Sequence, residues 1–147
     1  MTYESPIYTL YTDGGCIPNP GRGGWAVLII NGSAYQELSG FVRETTNNRM
    51  ELMAAIKGLE NVPASAKVLI YTDSEYLRRG ITEWLPEWVK RGWKRKGGAL
   101  ANQDLWRKLD SLTSSRTLEW HWVRGHSGNR YNEKVDELVR QVIDANC

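Results

Sequence analysis

Hydrophobic and polar positions in the first third of the chain follow the period of β-strands. Residues 7–12 and the runs GWAVLIING and AYQELSGFV are β-branched, aromatic or alternating, as expected of three strands. The Asn31-Gly32 dipeptide between the last two is a strong hairpin signal. The run GGCIPNPGRGG between the first two is rich in glycine and proline and predicts a loop. We therefore expect an antiparallel meander.

The rest of the chain predicts helices and two further strands. NNRMELMAAIKGLE has the helical period and stops before Pro63, and KVLIYTD is a short apolar run typical of a strand buried on both faces. A helical stretch over residues 74–93 is expected to be interrupted at Gly80 and Pro86. NQDLWRKLDSLTS and YNEKVDELVRQVIDA predict helices, with the alternating strand TLEWHWV between them. The order β-β-β-α-β-α-α-α-β-α indicates an α/β fold with a mixed sheet and helices on its faces.

Composition is that of an ordinary globular domain. The chain has 147 residues, 41% hydrophobic and 24% charged, which suits one domain with a buried core. It shows no repeat, no apolar run of membrane-spanning length and no signal-peptide pattern. Its two cysteines, Cys16 and Cys147, form neither a disulfide framework nor a zinc set. We expect a single domain over 1–147, a cytoplasmic location, no membrane partner and a monomer.

Positive charge is concentrated in one segment. The net charge is +2, yet residues 90–98 carry five cations and no acid, so the remainder is mildly acidic. Five of the seven tryptophans lie between Trp84 and Trp120. A satellite hydrophobic cluster beside a solvated loop would explain this pattern. Tryptophan interleaved with lysine and arginine also suits a nucleic-acid backbone, without residues that read base edges.

Four acidic residues map to one edge of the predicted sheet. Asp13 and Asp73 follow the first and fourth strands, and Glu51 and Asp136 lie near the starts of two helices. If the first and fourth strands are parallel neighbours, Asp13 and Asp73 emerge side by side, and such carboxylates repel unless a cation lies between them. Two Mg²⁺ ions ~4 Å apart can hold the attacking water and the leaving oxygen of a phosphoryl transfer. The pattern predicts divalent metal and phosphodiester chemistry.

Each acid also has a structural interpretation that the sequence leaves open. These are a turn at Asp13-Gly14, a helix N-cap at Asp73-Ser74, a capping box of Asn48 with Glu51, and a helix-dipole partner at Asp136. His126 lies in the loop VRGHSGN, where it is either an inert surface residue or a proton carrier with a pKa of ~6.5. His121 is interpreted as a structural or surface residue of a strand.

The chain resembles a known family over nearly its whole length. The blocks YTDGGCIPNPGRGG, TTNNRMELMAAI, YTDSEYL, WLPEWVKRGWKRK, NQDLW and VRGHSGNRYNEKVDELVR are similar, in order, to those of type 1 ribonucleases H of the bacterial kind. The resemblance implies the ribonuclease H-like fold, a five-stranded mixed sheet of three antiparallel strands followed by two parallel ones. It also implies endonucleolytic cleavage of the RNA strand of RNA–DNA hybrids, leaving 5′-phosphate and 3′-hydroxyl ends, with two Mg²⁺ ions for which Mn²⁺ substitutes.

The resemblance also assigns roles to residues of this chain. The implied metal ligands are Asp13, Glu51, Asp73 and Asp136, joined in catalysis by His126. The implied RNA-strand contacts are Cys16, Asn19, Asn47 and Asn48, which would recognise the 2′-hydroxyl. The implied DNA-strand contacts are Thr46 and Asn102 in a phosphate pocket, and Trp84, Trp106, Lys90, Arg91, Trp93, Lys94, Arg95 and Lys96 in and near a basic protrusion at about 84–98.

Some residues depart from the family pattern, and two other functions stay open. Glu44, Glu75, Pro86 and Glu87 put substrate affinity in doubt, because they add negative charge or interrupt the helix that leads into the protrusion. One alternative is a non-catalytic nucleic-acid-binding domain, which predicts loss of a metal-binding acid. The other is a DNA-acting relative such as a transposase, integrase or junction resolvase, in which TTNNRMEL and the tryptophan-rich protrusion would be missing.

Overall fold

The computed structural model describes residues 6–93, 101–124 and 129–146. Its elements are β1 (Ile7–Cys16), β2 (Gly21–Asn31), β3 (Ala34–Thr45), α1 (Asn47–Glu60), β4 (Lys67–Thr72), α2 (Glu75–Arg79), a π-helical turn (Gly80–Trp84), α3 (Leu85–Lys90), α4 (Gln103–Thr113), β5 (Thr117–Trp122) and α5 (Arg130–Ala145). The predicted order of strands and helices is confirmed. None of the described helices has the length and apolar character to cross a membrane.

The sheet has the mixed topology that the sequence predicts. Its strands lie in the order β3-β2-β1-β4-β5, with antiparallel pairing between the first three and parallel pairing of β4 with β1 and β5. In the β1–β4 pair, Tyr11 lies beside Tyr71. Parallel strands end at the same edge of a sheet, so the residues that follow Tyr11 and Tyr71 lie at one edge. We call it the carboxyl edge.

Two apolar cores lie on opposite faces of the sheet. Successive side chains of a strand point to opposite faces, so Leu10 is buried under α1 and α4 while Tyr11 packs under α5. Val135 and Val139 dock α5 on the second face. Helices therefore cover both faces, as predicted, and α1 and α5 approach the carboxyl edge from opposite sides.

The glycine-rich run is mostly strand, so the predicted loop over residues 14–24 is wrong. Gly14 and Gly15 continue β1 and pair with Trp25 and Gly24 of β2, which leaves only residues 17–20 for the turn. A Cβ on Gly14 would lie 2.3 Å from the carbonyl carbon of Met50 in α1. Glycine is needed here because a helix packs directly on the strand backbone, a reason that local sequence does not reveal.

The regular α-helix is interrupted at Gly80, as predicted, although the chain stays helical there as a π-helical turn. The interruption predicted at Pro86 is wrong, because Pro86 lies in the first turn of α3, which follows the π-helical turn without a gap. A Cβ on Gly80 would lie 1.9 Å from the indole ring of Trp106. Gly80 thus makes room for the largest fully buried side chain of the described core.

Candidate active site

Asp13 and Asp73 lie at the carboxyl edge on neighbouring parallel strands. Each follows the Tyr11–Tyr71 pair by two residues, Asp13 within β1 and Asp73 directly after β4. Asp13 also pairs with Ala26 of β2, so the interpretation of Asp13-Gly14 as a turn is wrong. The sheet itself therefore sets the position of both carboxylates.

Glu51 reaches the same edge from α1. Thr46 caps this helix by accepting a hydrogen bond from the backbone of Arg49 at 3.2 Å, so the capping box predicted for Asn48 and Glu51 is wrong. The Ser74 hydroxyl donates a short hydrogen bond to Glu51 Oε2. Ser74 Oγ also accepts a hydrogen bond from the backbone N–H of Leu77 at 3.0 Å and thereby caps α2. Ser74 thus confirms the predicted N-cap and also orients Glu51.

Asp136 is supplied by the second turn of α5, where Arg140 Nη2 donates to its carboxylate at 2.7 Å. Burial of Val135 and Val139 against β1 and β2 sets the side of α5 that faces the sheet. Asp136 lies beyond the first turn of the helix, so the helix-dipole interpretation does not apply to it.

The four carboxylates influence one another electrostatically. Burial, followed by the charges of Asp73, Asp136 and Glu51, raises the pKa of Asp13 to about 8. Burial also raises the pKa of Glu51 to about 7, with a further rise from Asp73 and an opposing effect of the Ser74 hydrogen bond. Acids on β1, on α1, directly after β4 and on α5 are thus brought to one edge, as the sequence predicts.

The donor set suits a hard divalent cation, although the side chains are not yet arranged around one. Within the described ranges, no three His, Cys, Asp or Glu side chains converge on a single ion position. Glu51 is held by Ser74, and Asp136 by Arg140, in this arrangement. Carboxylate oxygens are the preferred ligands of such cations, and an ion would offset the repulsion that raises the pKa of Asp13.

The raised pKa values predict that the metal-free protein becomes less stable as pH rises. Folded Asp13 and Glu51 retain protons that the unfolded chain releases, so the free energy of unfolding should fall from about pH 4 to about pH 8. Urea denaturation in EDTA across this range measures the fall, and Asp13→Asn should show a smaller one. An identical pH dependence in both proteins would contradict the raised pKa of Asp13.

The residues assigned to the RNA strand surround the turn between β1 and β2. Asn19 Oδ1 accepts a hydrogen bond from the backbone of Asn47 at 3.2 Å, which joins this turn to the start of α1. The Cys16 thiol is buried and lies 3.1 and 3.3 Å from the carbonyl oxygens of Pro18 and Thr45. A contact of Cys16 with substrate would therefore have to use its backbone.

An open cleft of about 390 Å³ lies beside Asp73. It is lined by Thr72, Asp73, Ser74, Glu75, Arg78, Trp122, Val123 and Arg124. The Arg78 guanidinium lies 3.7 Å from the Glu75 carboxylate and offsets its negative charge. The sequence suggests that this charge would weaken substrate binding. The cleft gives a substrate strand room to approach Asp73.

Thr46 and Asn102, the residues assigned to a DNA phosphate pocket, are linked through Arg49. The Thr46 hydroxyl caps the backbone of Arg49, and the guanidinium of Arg49 donates to Asn102 Oδ1 at 3.3 Å and to both oxygens of Asp104 at 3.0 and 2.8 Å. Asn102 Nδ2 also donates to the Tyr76 hydroxyl at 3.0 Å. Arg49 therefore fixes the start of α1 relative to the start of α4.

The tryptophans form a partly buried cluster against the main core. Trp88 contacts Trp84, Trp93 and Trp106, with ring centroids 6.0, 6.3 and 5.5 Å away. Trp106 is 0% exposed and donates to the Tyr76 hydroxyl at 2.9 Å. Its assignment to the DNA strand is therefore wrong, because it has no surface to offer. Trp84 and Trp93 keep exposed parts.

Several predicted site residues lie outside the described residues. These are His126, Lys94, Arg95 and Lys96. Cys147, which has no role assigned in the site, also lies outside the described residues. Among the described members of the basic segment, Lys90 is exposed and Arg91 lies 3.5 Å from Glu87, which offsets its charge. His121 stacks on Tyr71 with a centroid distance of 4.6 Å, in keeping with its structural interpretation.

Sequence reasoning missed three residues that shape the site. Gly14 admits α1 to the strand, Ser74 orients Glu51, and Arg49 joins the starts of α1 and α4. The signals were present, since Ser74 follows Asp73 directly and Arg49 lies between Asn48 and Glu51. Their roles depend on contacts between segments far apart in sequence, which local patterns do not define.

Comparison with known proteins gives matches over almost the whole chain. The family model described as RNase H matches residues 5–144. A ribonuclease H of Halorhodospira halophila is 50% identical over 145 residues, 98% of this chain and 97% of the relative, and one of Granulibacter bethesdensis is 51% identical over 143 residues, 97% and 95% of the two chains.

Solved structures give the same result. A crystal structure of a type 1 RNase H with the type 2 active-site motif superposes with a TM-score of 0.88 at 30% identity, covering 100% of this chain and 76% of the other. The LC11-RNase H1 structure, determined in complex with an RNA/DNA hybrid, gives a TM-score of 0.72 at 26% identity, covering 95% and 98%.

Proposed function

Because this chain belongs to the ribonuclease H family, we propose that it hydrolyses the RNA strand of RNA–DNA hybrids at the carboxyl edge of its sheet, leaving 5′-phosphate and 3′-hydroxyl ends. The observation that carries the proposal is the proximity of Asp13 to Glu51, Asp73 and Asp136, which come from β1, α1, the residue after β4, and α5, and whose charges act on Asp13. A related protein of this fold was crystallised with such a hybrid.

These four carboxylates are proposed to hold the divalent ions. Bound ions would supply an activated water and neutralise charge that develops on the leaving oxygen. Asp13 is held within a paired strand, and Glu51 is oriented by Ser74, so the chain sets two of the ligands before substrate arrives. Release of Asp136 by Arg140 would complete the site. His126 is proposed to carry protons or assist product release.

Discrimination between the strands is proposed to arise on either side of the α1 N-terminus. Asn19, Asn47 and Asn48 offer amide groups to the 2′-hydroxyl, which only RNA has and which both donates and accepts hydrogen bonds. Thr46 and Asn102 lie beside them and would take a phosphate of the DNA strand. Lys90 and the cations at 94–96 would add contacts to the backbone that do not depend on base sequence.

We further propose Mg²⁺ as the working ion, with Mn²⁺ able to substitute, and a monomeric protein in the cytoplasm. Small hard ions of this kind bind through a few carboxylates while keeping water ligands, and the four acids match that requirement. Metal-activation curves with each ion and light scattering of the purified protein would test the ion and the oligomeric state.

Loss of the Ser74 hydroxyl is expected to weaken metal-dependent activity. Ser74→Ala removes a hydrogen bond to a charged group, of about 1.5–3 kcal/mol, and should reduce kcat/KM about tenfold or more while moving the metal-activation curve to higher concentration. Ser74→Thr retains the hydroxyl and serves as the matched variant that restores activity. The same activation curve in Ser74→Ala and the wild type would rule out this role.

The function itself is tested with a panel of labelled duplexes. We expect cleavage of the RNA strand of a hybrid when Mg²⁺ is present, no cleavage in EDTA, and no cleavage of RNA–RNA or DNA–DNA duplexes. Tight hybrid binding without cleavage would instead indicate the non-catalytic binding domain. Cutting of a DNA strand would indicate the DNA-acting relative.

A further inference from the structure

Arg107 on α4 is an exposed cation that none of the roles assigned above uses. Its guanidinium lies over the indole of Trp93, 5.3 Å from the ring centroid. The Gln103 amide, with its oxygen turned towards Arg107, accepts from Nε at 3.0 Å and from a terminal nitrogen at 3.3 Å. The guanidinium is therefore held in one orientation before any ligand binds.

Arg107 forms no ion pair with any other residue that the structure describes, within residues 6–93, 101–124 and 129–146. Its neighbour Lys108 lies 3.1 Å from Glu60, and Arg91 lies 3.5 Å from Glu87. An exposed, oriented and unpaired guanidinium suits a phosphate, because arginine can present two parallel N–H groups to its oxygens.

The faces of α4 place Arg107 between two proposed DNA contacts. Asp104 and Lys108 face α1, where they pair with Arg49 and Glu60, while Trp106 faces the core. Arg107 projects on the remaining side, towards Trp93. Asn102, at the start of the same helix, is part of the proposed phosphate pocket, and Trp93 belongs to the basic segment.

We propose that Arg107 binds the phosphodiester backbone of the hybrid's DNA strand, with Trp93 as the platform that holds its guanidinium. This inference rests on the proposed function and extends the DNA path from Thr46 and Asn102 to the basic segment. The indole of Trp93 covers one face of the guanidinium and Gln103 takes the edge that carries Nε, while the N–H groups at the terminal end stay available for phosphate oxygens.

The test compares hybrid affinity and its salt dependence in wild type and Arg107→Gln. Loss of one phosphate contact should reduce the slope of log affinity against log salt by ~0.7–0.9. Near ~0.1 M salt, this corresponds to about sixfold weaker binding. Lys108→Gln removes the same charge from the adjacent position of the same helix and should leave the slope unchanged. Equal slopes for Arg107→Gln and wild type would overturn the proposal, as would equal losses in both variants.

Neutral methylphosphonate linkages identify the strand. Placed in the DNA strand, they should remove the difference in affinity between wild type and Arg107→Gln, whereas in the RNA strand they should preserve it. The reverse pattern would overturn the assignment to DNA. Thermal unfolding of Arg107→Gln should be close to that of wild type, and a large loss of stability with an unchanged slope would show a structural role only.

These outcomes separate the inference from the function on which it rests. Absence of hybrid cleavage by the wild-type protein would reject the proposed function, whatever Arg107→Gln does. Normal cleavage by the wild type with an unchanged salt slope in Arg107→Gln would reject only the role of Arg107.

Discussion

Asp13→Asn is expected to lower the rate of hybrid cleavage by a thousandfold or more, about 4 kcal/mol of transition-state stabilisation, while the fold and hybrid binding persist. Asp13 is the carboxylate on which the charges of Asp73, Asp136 and Glu51 all act. Asparagine keeps the shape of the side chain but cannot supply the negative charge that a divalent ion requires. Single-turnover cleavage with saturating metal measures the effect.

The fold of this variant can be assessed separately from its activity. Because burial and the neighbouring acids make the Asp13 carboxyl group costly to ionise, metal-free Asp13→Asn should be at least as stable as the wild type near pH 7. Asp144→Asn makes the same chemical change at an exposed position of α5 and should cleave normally. Retention of full activity by Asp13→Asn would refute its assignment as a metal ligand.

Gly14→Ala is expected to have the second largest effect, on both stability and activity. The new Cβ would lie 2.3 Å from the carbonyl carbon of Met50 and 2.5 Å from the backbone nitrogen of Glu51, so α1 must move away from β1. Overpacking of this kind costs about 3 kcal/mol, and a displacement of about 1 Å in a catalytic group costs ~10²-fold in rate. Denaturant unfolding and kcat measure the two effects.

Gly15→Ala is the matched control for this variant. Its Cβ would meet only the side chain of Val139, at 3.3 Å, which can adjust. A modest loss of stability with nearly normal activity is expected. Comparable loss of activity in the two variants would show that close packing of α1 on Gly14 is not what positions Glu51.

The strands and helices followed from local sequence patterns, but the contacts between them did not. Hydrophobic alternation and the Asn31-Gly32 turn were enough to place β2 and β3, and the topology placed Asp13 beside Asp73. The run after Asp13 was expected to be a loop because glycine favours turns. In the fold, that glycine instead serves the packing of α1, which lies over thirty residues away in sequence.

Within the site, the sequence did not reveal which side chains are buried or which side chains bond to one another. The acids could be identified because the sequence predicted each of them at the end of a strand or near the start of a helix, whereas the hydrogen bond from Ser74 to Glu51 joins two separate segments. Trp106 was assigned to DNA because the resemblance to the ribonuclease H family implied this contact. Its burial depends on Gly80, which leaves room for its ring.

The most direct test is anomalous diffraction from Mn²⁺ in crystals of the wild-type protein bound to a hybrid whose RNA strand is made uncleavable by 2′-O-methyl groups. We expect anomalous peaks within coordination distance of Asp13, Glu51, Asp73 and Asp136, with the RNA strand lying over them. Hybrid bound at this edge with no anomalous density on these carboxylates, or with the metal at another site, would contradict a catalytic centre built from the four acids.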